Sequence, residues 1–162
     1  MLVIADATPL HYLVLIDEIN LLRELYKAVV VPSAVVEELS APQAPVAVHR
    51  WVADLPSWIS IAPPQSSIAL PFPTLGDGER EAIALAGQSG NSLLLTDDQQ
   101  ARLAAESLGI RVVPTIRVLS TASALSLVDL EDALKRLQQT NFRVSRKVLD
   151  AVLNRKSIEL QE

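Results

Sequence analysis

The sequence predicts an α/β domain in which helices cover both faces of a central parallel sheet. Short apolar runs suited to buried strands alternate with stretches of helical periodicity as far as Val113. This alternation is typical of parallel strands joined by crossover helices. Of 162 residues, 49% are hydrophobic, and the mean hydropathy is +0.28, which suits a domain with a substantial core. We therefore expect a single domain over residues 1–162, with a helical C-terminal extension over about residues 126–162.

The predicted sheet has about four to five short strands. Each candidate is an apolar run or an alternating segment bounded by a turn or by a helix start. The candidates are residues 2–5, 29–31, 58–61, 93–96 and 110–113. Residues 62–74 hold four of the ten prolines and are predicted to form a loop.

The predicted helices begin at acids, at hydroxyl residues or at prolines, which are common at helix N-termini. The first starts after Asp6 and ends at Leu15, and Asp17 with Glu18 opens the second, which carries an apolar stripe through Tyr26. The other predicted helices cover residues 33–39, 45–55, 79–86, 99–108, 115–125, 129–139 and 145–154.

The net charge of −5 hides an asymmetry along the chain. Residues 1–132 contain seven Lys and Arg against sixteen Asp and Glu, whereas residues 133–158 contain seven basic residues and only Asp150 as an acid. A basic segment beside an acidic body can hold a polyanion, or it can simply pair with that body. The charge pattern leaves both interpretations open.

Composition excludes several kinds of site. The chain has no cysteine and two histidines, so neither disulfides nor a thiolate or histidine-rich metal site is expected, and any metal should have oxygen ligands. No apolar run approaches the ~20 residues that a membrane span needs, and the N-terminus lacks the basic start of a signal peptide. We expect a cytoplasmic protein with no membrane partner.

Acidic residues stand where predicted apolar elements end or turn. They occur in five stretches, residues 2–6, 35–39, 75–81, 93–98 and 128–132. The last is better explained as a helix N-terminus with acids in its first turn, because that arrangement complements the helix dipole. The other four stretches remain candidates for a site.

Acids from these four stretches can meet at one edge of the sheet. Ligands of parallel α/β folds bind beyond the carboxyl ends of the strands, where Asp6 and the pair Asp97 and Asp98 are expected. Glu38, from the helix after the second strand, and Glu79, from the first turn of the helix after the proline-rich loop, can point into the same mouth. Each acid also has a structural explanation: Asp6 and either member of the pair can cap helices, and Glu37 can replace Glu38.

The order of these segments resembles the PIN domain family, and in particular its toxin-like DUF3368 branch. The resemblance rests on residues 5–10 (ADATPL), 30–39 (VVPSAVVEEL), 75–86 (LGDGEREAIALA), 94–102 (LLTDDQQAR) and 141–145 (NFRVS). It implies a three-layer PIN-like domain. It also implies a metal-dependent ribonuclease, many relatives of which are toxins of toxin-antitoxin pairs.

The resemblance assigns roles to particular residues. It implies that Asp6, Glu38, Glu79 and Asp98 are the catalytic acids, with Asp97 beside Asp98 as a further metal ligand. Thr8 matches a small hydroxyl residue near the first acid. Arg102, one helical turn beyond Asp98, is expected to orient that carboxylate or to contact the substrate.

The expected cofactor is Mg2+ or Mn2+, hard ions that prefer oxygen ligands and can activate water near a phosphodiester. The expected partners are an RNA substrate, an antitoxin protein and a second copy of the chain in a homodimer. Two other functions stay open on the residues alone: a catalytically silent PIN-like interaction protein, and a metal-dependent phosphatase or DNA nuclease of similar build.

Overall fold

The computed structural model describes residues 1–64 and 71–161, the last part from residue 155 as backbone alone. Its elements follow in the order β1 (Leu2–Ala5), α1 (Ala7–Leu15), α2 (Leu21–Tyr26), β2 (Val29–Pro32), α3 (Ser33–Leu39), α4 (Val46–Ala53), β3 (Ile59–Ala62), α5 (Asp77–Gly87), β4 (Ser92–Leu95), α6 (Gln99–Ser107), β5 (Arg111–Val113), α7 (Thr115–Ala124), α8 (Leu130–Gln138) and α9 (Arg146–Gln161). Of the predicted loop 62–74, residues 65–70 lie outside the described residues.

The sheet confirms the predicted α/β class. In the described residues it has five strands, all parallel, in the order β3-β2-β1-β4-β5. The chain winds outward in one direction from β1 to β3 and then in the other from β4 to β5. This reversal places a crevice at the carboxyl ends of β1 and β4, where open α/β sheets bind ligands.

Two apolar layers enclose the sheet. On one face, Ile4 and Leu94 pack against α5 and α6. On the other, Val3 and Leu93 belong to the larger core that includes α1, α2, α7 and α8. Because neighbouring residues of a strand point to opposite faces, an uninterrupted apolar run such as β4 supplies both layers.

The predicted start of the second helix at Asp17 and Glu18 is wrong. Asp17 has a φ of 60°, which a right-handed helix cannot contain, and α2 begins only at Leu21. Glu18 instead pairs with Arg136 of α8 at 2.8 Å, and Arg136 also donates to the carbonyl of Ile16. A contact between residues far apart in sequence therefore fixes this turn.

The acids near residue 130 have the capping role expected of them. Asp129 precedes α8, and its Oδ1 accepts from the backbone N–H of Asp132 at 3.0 Å. Within the described residues, no helix combines the length and the apolar composition that crossing a bilayer requires.

Candidate active site

Asp6 is the buried centre of the acidic edge. It follows β1 directly, caps α1 and is only 2% exposed. Its Oδ1 accepts from the backbone N–H of Ala7 at 2.8 Å, and its Oδ2 accepts from the hydroxyl of Thr96 at 2.9 Å. Thr96 lies close enough to bind Asp6 because β1 and β4 pair along the whole of Leu2–Ala5. Asp6 and Thr96 therefore directly follow the paired ends of neighbouring strands. The structure thus shows the capping role of Asp6, and its role as a metal ligand stays a prediction.

The environment of Asp6 opposes its ionisation. Burial raises the pKa of Asp6 to about 7, and the charges of Glu79 and Glu38 act in the same direction. The hydrogen bonds from Ala7 and Thr96 oppose this rise and are too weak to cancel it. A buried carboxylate that lies beside two further acids is therefore the main electrostatic feature of the crevice.

Gly78 keeps open the space between the acids of α3, α5 and β1. A methyl group added at Gly78 would lie 3.2 Å from Glu38 Oε2 and 3.7 Å from Asp6 Oδ1. The same methyl would lie 3.1 Å from Val35 Cγ2, so the α3 and α5 helices are in close contact here. The charge of Glu79 acts on both Asp6 and Glu38, so the three acids share one neighbourhood at the start of α5.

The two helix acids lie at the rim of this neighbourhood. Glu38 is exposed on its outer side, yet burial of its carboxylate and then the charge of Glu79 raise the pKa of Glu38. Glu79 is half-buried in the first turn of α5, where the helix dipole favours an acid. Glu37, the alternative on α3, is exposed.

Glu81 has a role that the sequence did not reveal. Its Oε1 accepts from the hydroxyl of Ser33 at 3.2 Å and from the backbone N–H of Ala34 at 3.4 Å. Pro32, at the N-cap of α3, has no side chain able to cap the helix. Glu81 therefore caps α3 from α5 and ties together the two helices that carry Glu38 and Glu79.

Asp97 and Asp98 have different surroundings, although they are adjacent. Asp97 is half-buried, and Thr115 binds both of its oxygens, with the backbone N–H at 2.9 Å from Oδ1 and the hydroxyl at 2.6 Å from Oδ2. Burial raises the pKa of Asp97, and the two bonds from Thr115 oppose that rise. Thr115, predicted only as a helix start, thus fixes the orientation of this carboxylate.

Asp98 is exposed and caps α6, with its Oδ1 accepting from the backbone N–H of Ala101 at 2.7 Å. Its own N–H donates to the hydroxyl of Thr96, the group that also binds Asp6. Arg102 is exposed one turn further along α6, and forms no ion pair with Asp98 or with any other acid that the structure describes.

Comparison with known families identifies the family to which this chain belongs. The model of the PIN domain family DUF3368 matches residues 2–157, nearly the whole chain. This chain belongs to the PIN domain family. PIN domains are generally nucleases that use a divalent metal.

A solved structure of a PilT N-terminus domain protein from the hyperthermophilic archaeon Sulfolobus solfataricus P2 is similar to this PIN domain at 16% identity. Its TM-score is 0.49, over 90% of this chain and 100% of that chain. Among curated proteins, no significant sequence match was found.

The donors of this PIN domain are of the right type for a divalent cation. They are carboxylate and hydroxyl oxygens, the ligands that Mg2+ and Mn2+ prefer, and Gly78 leaves space between two of the carboxylates. No three acids within the described parts of the chain converge closely enough to form a ready-made metal site. Rim side chains such as Glu38 would have to move toward Asp6 to complete one.

Among the residues that the structure describes, cavities lie on two sides of the acidic edge. The larger, of about 800 Å³, lies between α1, α7 and the start of α9, and Asp97 forms part of its wall. The smaller, of about 300 Å³, lies between α1 and the residues that follow α3, and Glu38 forms part of its wall. Thr8 and Tyr12 line both cavities, so the two meet along α1.

Proposed function

We propose that this PIN domain is a metal-dependent ribonuclease that hydrolyses RNA phosphodiester bonds. The observation that carries the proposal is that buried Asp6 lies beside Glu38 at the space left by Gly78, with the charge of Glu79 acting on both acids. Clustered carboxylates repel one another, and a cation placed among them removes that cost. The crevice at the ends of β1 and β4 gives a substrate access to these acids.

The proposed ligands of Mg2+ or Mn2+ are Asp6 and Asp98, with Asp97 as a further oxygen donor. Such an ion, when bound, supplies a water of lowered pKa and neutralises charge on the phosphate. Thr96 holds Asp6 in place, and Thr115 holds Asp97, so two of these acids keep their orientation without a ligand. Glu38 and Glu79 at the rim are proposed to position water or to bind a second ion.

Cleavage of a labelled RNA is the direct test. The purified protein would be incubated with single-stranded and with hairpin RNA in Mn2+, in Mg2+ or in EDTA, beside Asp6→Asn, Glu38→Gln, Glu79→Gln, Asp97→Asn and Asp98→Asn. We expect metal-dependent cleavage that Asp6→Asn abolishes. Cleavage that survives in both Asp6→Asn and EDTA would contradict the proposal.

Two controls separate the competing activities. A DNA strand of the same sequence tests for a DNA nuclease, and p-nitrophenyl phosphate tests for a phosphatase. Binding of Mn2+ followed by calorimetry, with Asp6→Asn as control, reports the metal site without reference to turnover. Metal binding without cleavage of any substrate would favour the interaction protein over the enzyme.

The toxin role is a narrower proposal that rests on the family resemblance. Induced expression of the wild-type chain in a bacterial host should arrest growth, and Asp6→Asn at matched expression should not. Arrest by both proteins would show that growth inhibition is independent of the acidic site.

A further inference from the structure

Helix α3, which carries Glu38, depends on another helix for its start. It has only seven residues, and Pro32 at its N-cap makes no side-chain hydrogen bond to it. The hydroxyl of Ser33 and the backbone N–H of Ala34 donate instead to Glu81 Oε1 of α5. A helix this short is marginal by itself, because most of its backbone groups lack partners within the helix. The attachment to α5 therefore contributes directly to where α3 lies.

A second contact joins the same two helices one turn away. A methyl group added at Gly78 would lie 3.1 Å from Val35 Cγ2 and 3.2 Å from Glu38 Oε2. Gly78 stands three residues before Glu81 in α5, and Glu38 stands four residues after Ala34 in α3. Residues three or four apart lie on one face of a helix. The contact of Glu81 with Ala34 and that of Gly78 with Glu38 are therefore successive contacts between the facing sides of the two helices.

The hydrogen bonds to Glu81 resist rotation of α3. Val35 and Leu39 are buried and hold α3 against the core, but apolar contacts have no preferred direction. Hydrogen bonds weaken when their angles change, so the bonds to Glu81 oppose turning of the helix. No other described residue binds the Glu38 carboxylate by a hydrogen bond or an ion pair. The direction of Glu38 is therefore set by the helix that carries it.

Glu81 acts on its surroundings through geometry rather than through its charge. Glu79 and Glu38 are the charges that raise the pKa of Asp6, and Glu79 is the charge that raises the pKa of Glu38. Glu81 contributes to neither rise, although it is only two residues from Glu79. Shortening the Glu81 side chain should therefore affect the acids more than neutralising it.

We propose that Glu81 is a positioning residue of the candidate active site, which holds α3 on α5 so that Glu38 faces Asp6 beside Gly78. The inference rests on the proposed ribonuclease function and adds to it a residue that acts through Glu38. Outer groups that orient the side chains of a metal site typically contribute about tenfold or more to metal affinity or activity. We expect loss of the Glu81 contact to weaken Mn2+ binding, to slow RNA cleavage, or both, by about tenfold.

Two substitutions of Glu81 separate reach from charge. Glu81→Gln keeps an oxygen acceptor at the same distance and removes the charge, so it should stay within about twofold of wild type. Glu81→Asp keeps the charge on a shorter side chain. Both hydrogen bonds, already 3.2 Å and 3.4 Å long, would then be lost, and the full tenfold effect should appear. Ser33→Ala removes one of the two donors and should fall between these variants.

Three measurements follow the effect from the helix to the chemistry. Hydrogen exchange of the α3 amides in EDTA reports the attachment of α3 without metal or RNA, and Glu81→Asp should accelerate it by about fivefold, as for the loss of a helix cap. Calorimetry with Mn2+ gives the metal affinity, and single-turnover cleavage of labelled RNA gives the rate of reaction. Thermal melts show that each variant is folded.

Asp129→Ala is the matched control. It also removes a side-chain cap, from α8, which carries none of the proposed site residues. The control should cost a similar amount of stability and leave α3 exchange, Mn2+ affinity and cleavage unchanged. Equal losses of Mn2+ affinity and cleavage in Asp129→Ala and Glu81→Asp would show a general effect of lost stability and would overturn the proposal.

The deciding comparison is Glu81→Asp made in the Glu38→Gln background. If Glu81 acts through Glu38, its further effect on Mn2+ affinity and cleavage should there shrink to within about twofold. A full tenfold loss in that background would overturn the proposal, as would wild-type affinity and cleavage in Glu81→Asp when Glu38→Gln lowers either. Glu38→Gln that changes neither quantity would refute the role proposed for Glu38, and this inference with it. A protein that neither binds Mn2+ nor cleaves RNA would refute the proposed function itself.

Discussion

Asp6→Asn should remove most of the pH dependence of stability that the acidic site creates. The folded protein holds the Asp6 proton more tightly than the unfolded chain, because the pKa is about 7 when folded against 3.8 as the ordinary value. The resulting stabilisation is complete below the unfolded pKa and is lost as pH rises through about 7. A shift of this size corresponds to about 4 kcal/mol, of which about 3 kcal/mol is lost between pH 5 and pH 8.

The assay is urea unfolding of wild type and Asp6→Asn at pH 5 and pH 8 in EDTA. Asn still caps α1 and still fits beside Thr96, so the variant should fold. We expect the free energy of unfolding of the wild type to fall between the two pH values by about 3 kcal/mol more than that of the variant. Equal falls in the two proteins would show that Asp6 is ionised without penalty and would refute the conclusion that the crevice opposes its ionisation.

Three other substitutions test the contacts around the site. Gly78→Ala gains about 1 kcal/mol of helix propensity, and crowding of the added methyl against Val35 and Glu38 should cost more stability than this gain. The substitution should therefore lower both the melting temperature and the rate of RNA cleavage. Gly90→Ala, with nothing within 4 Å of the added methyl, should change neither quantity. Glu81→Ala removes the cap of α3 and should cost about 1 kcal/mol in urea unfolding, whereas the exposed Glu37→Ala should stay within about 0.5 kcal/mol of wild type. Asp98→Ala should lower the free energy of unfolding by about 1 kcal/mol, whereas Asp98→Asn should change it little, since Asn also caps a helix. RNA cleavage lost equally in both variants would assign Asp98 a chemical role beyond its cap. Cleavage retained in Asp98→Asn would remove Asp98 from the proposed metal ligands.

Most of the fold was predictable because local signals agree with the tertiary structure. Apolar runs predicted the inner strands β1, β2 and β4 to within about one residue, since a strand buried on both faces needs apolar side chains throughout. The edge strands β3 and β5 are partly exposed, and their bounds were predicted equally closely from alternation in β3 and from a short apolar run in β5. Asp17 misled the prediction because an acid before an apolar stripe is typical of a helix start, whereas its positive φ depends on contacts made by Arg136 far along the chain.

The site was predictable as a set of acids, and its supporting groups were not. Asp6 directly follows an apolar run, and this pattern can be recognised from the sequence alone. Thr96 and Thr115 bind their carboxylates only because neighbouring strands end at the same level, and sequence spacing carries no trace of that alignment. A hydroxyl residue directly after a predicted strand, as at Thr96, is the one local sign that was available. The roles of the acids themselves stay predictions.

The central position of β1 determines when the site can exist during folding. The first strand of the chain pairs with β4, about ninety residues later, and Tyr12 bonds to Asn141 near the other end of the described structure. Such distant pairings form slowly, because a long loop must close before any contact compensates for it. A ribosome that has made only β1 to β3 therefore carries a chain with Asp6 exposed and no crevice around it. If this protein cleaves RNA, the order of its strands delays that activity until β4 and the Thr96 that follows it have been made.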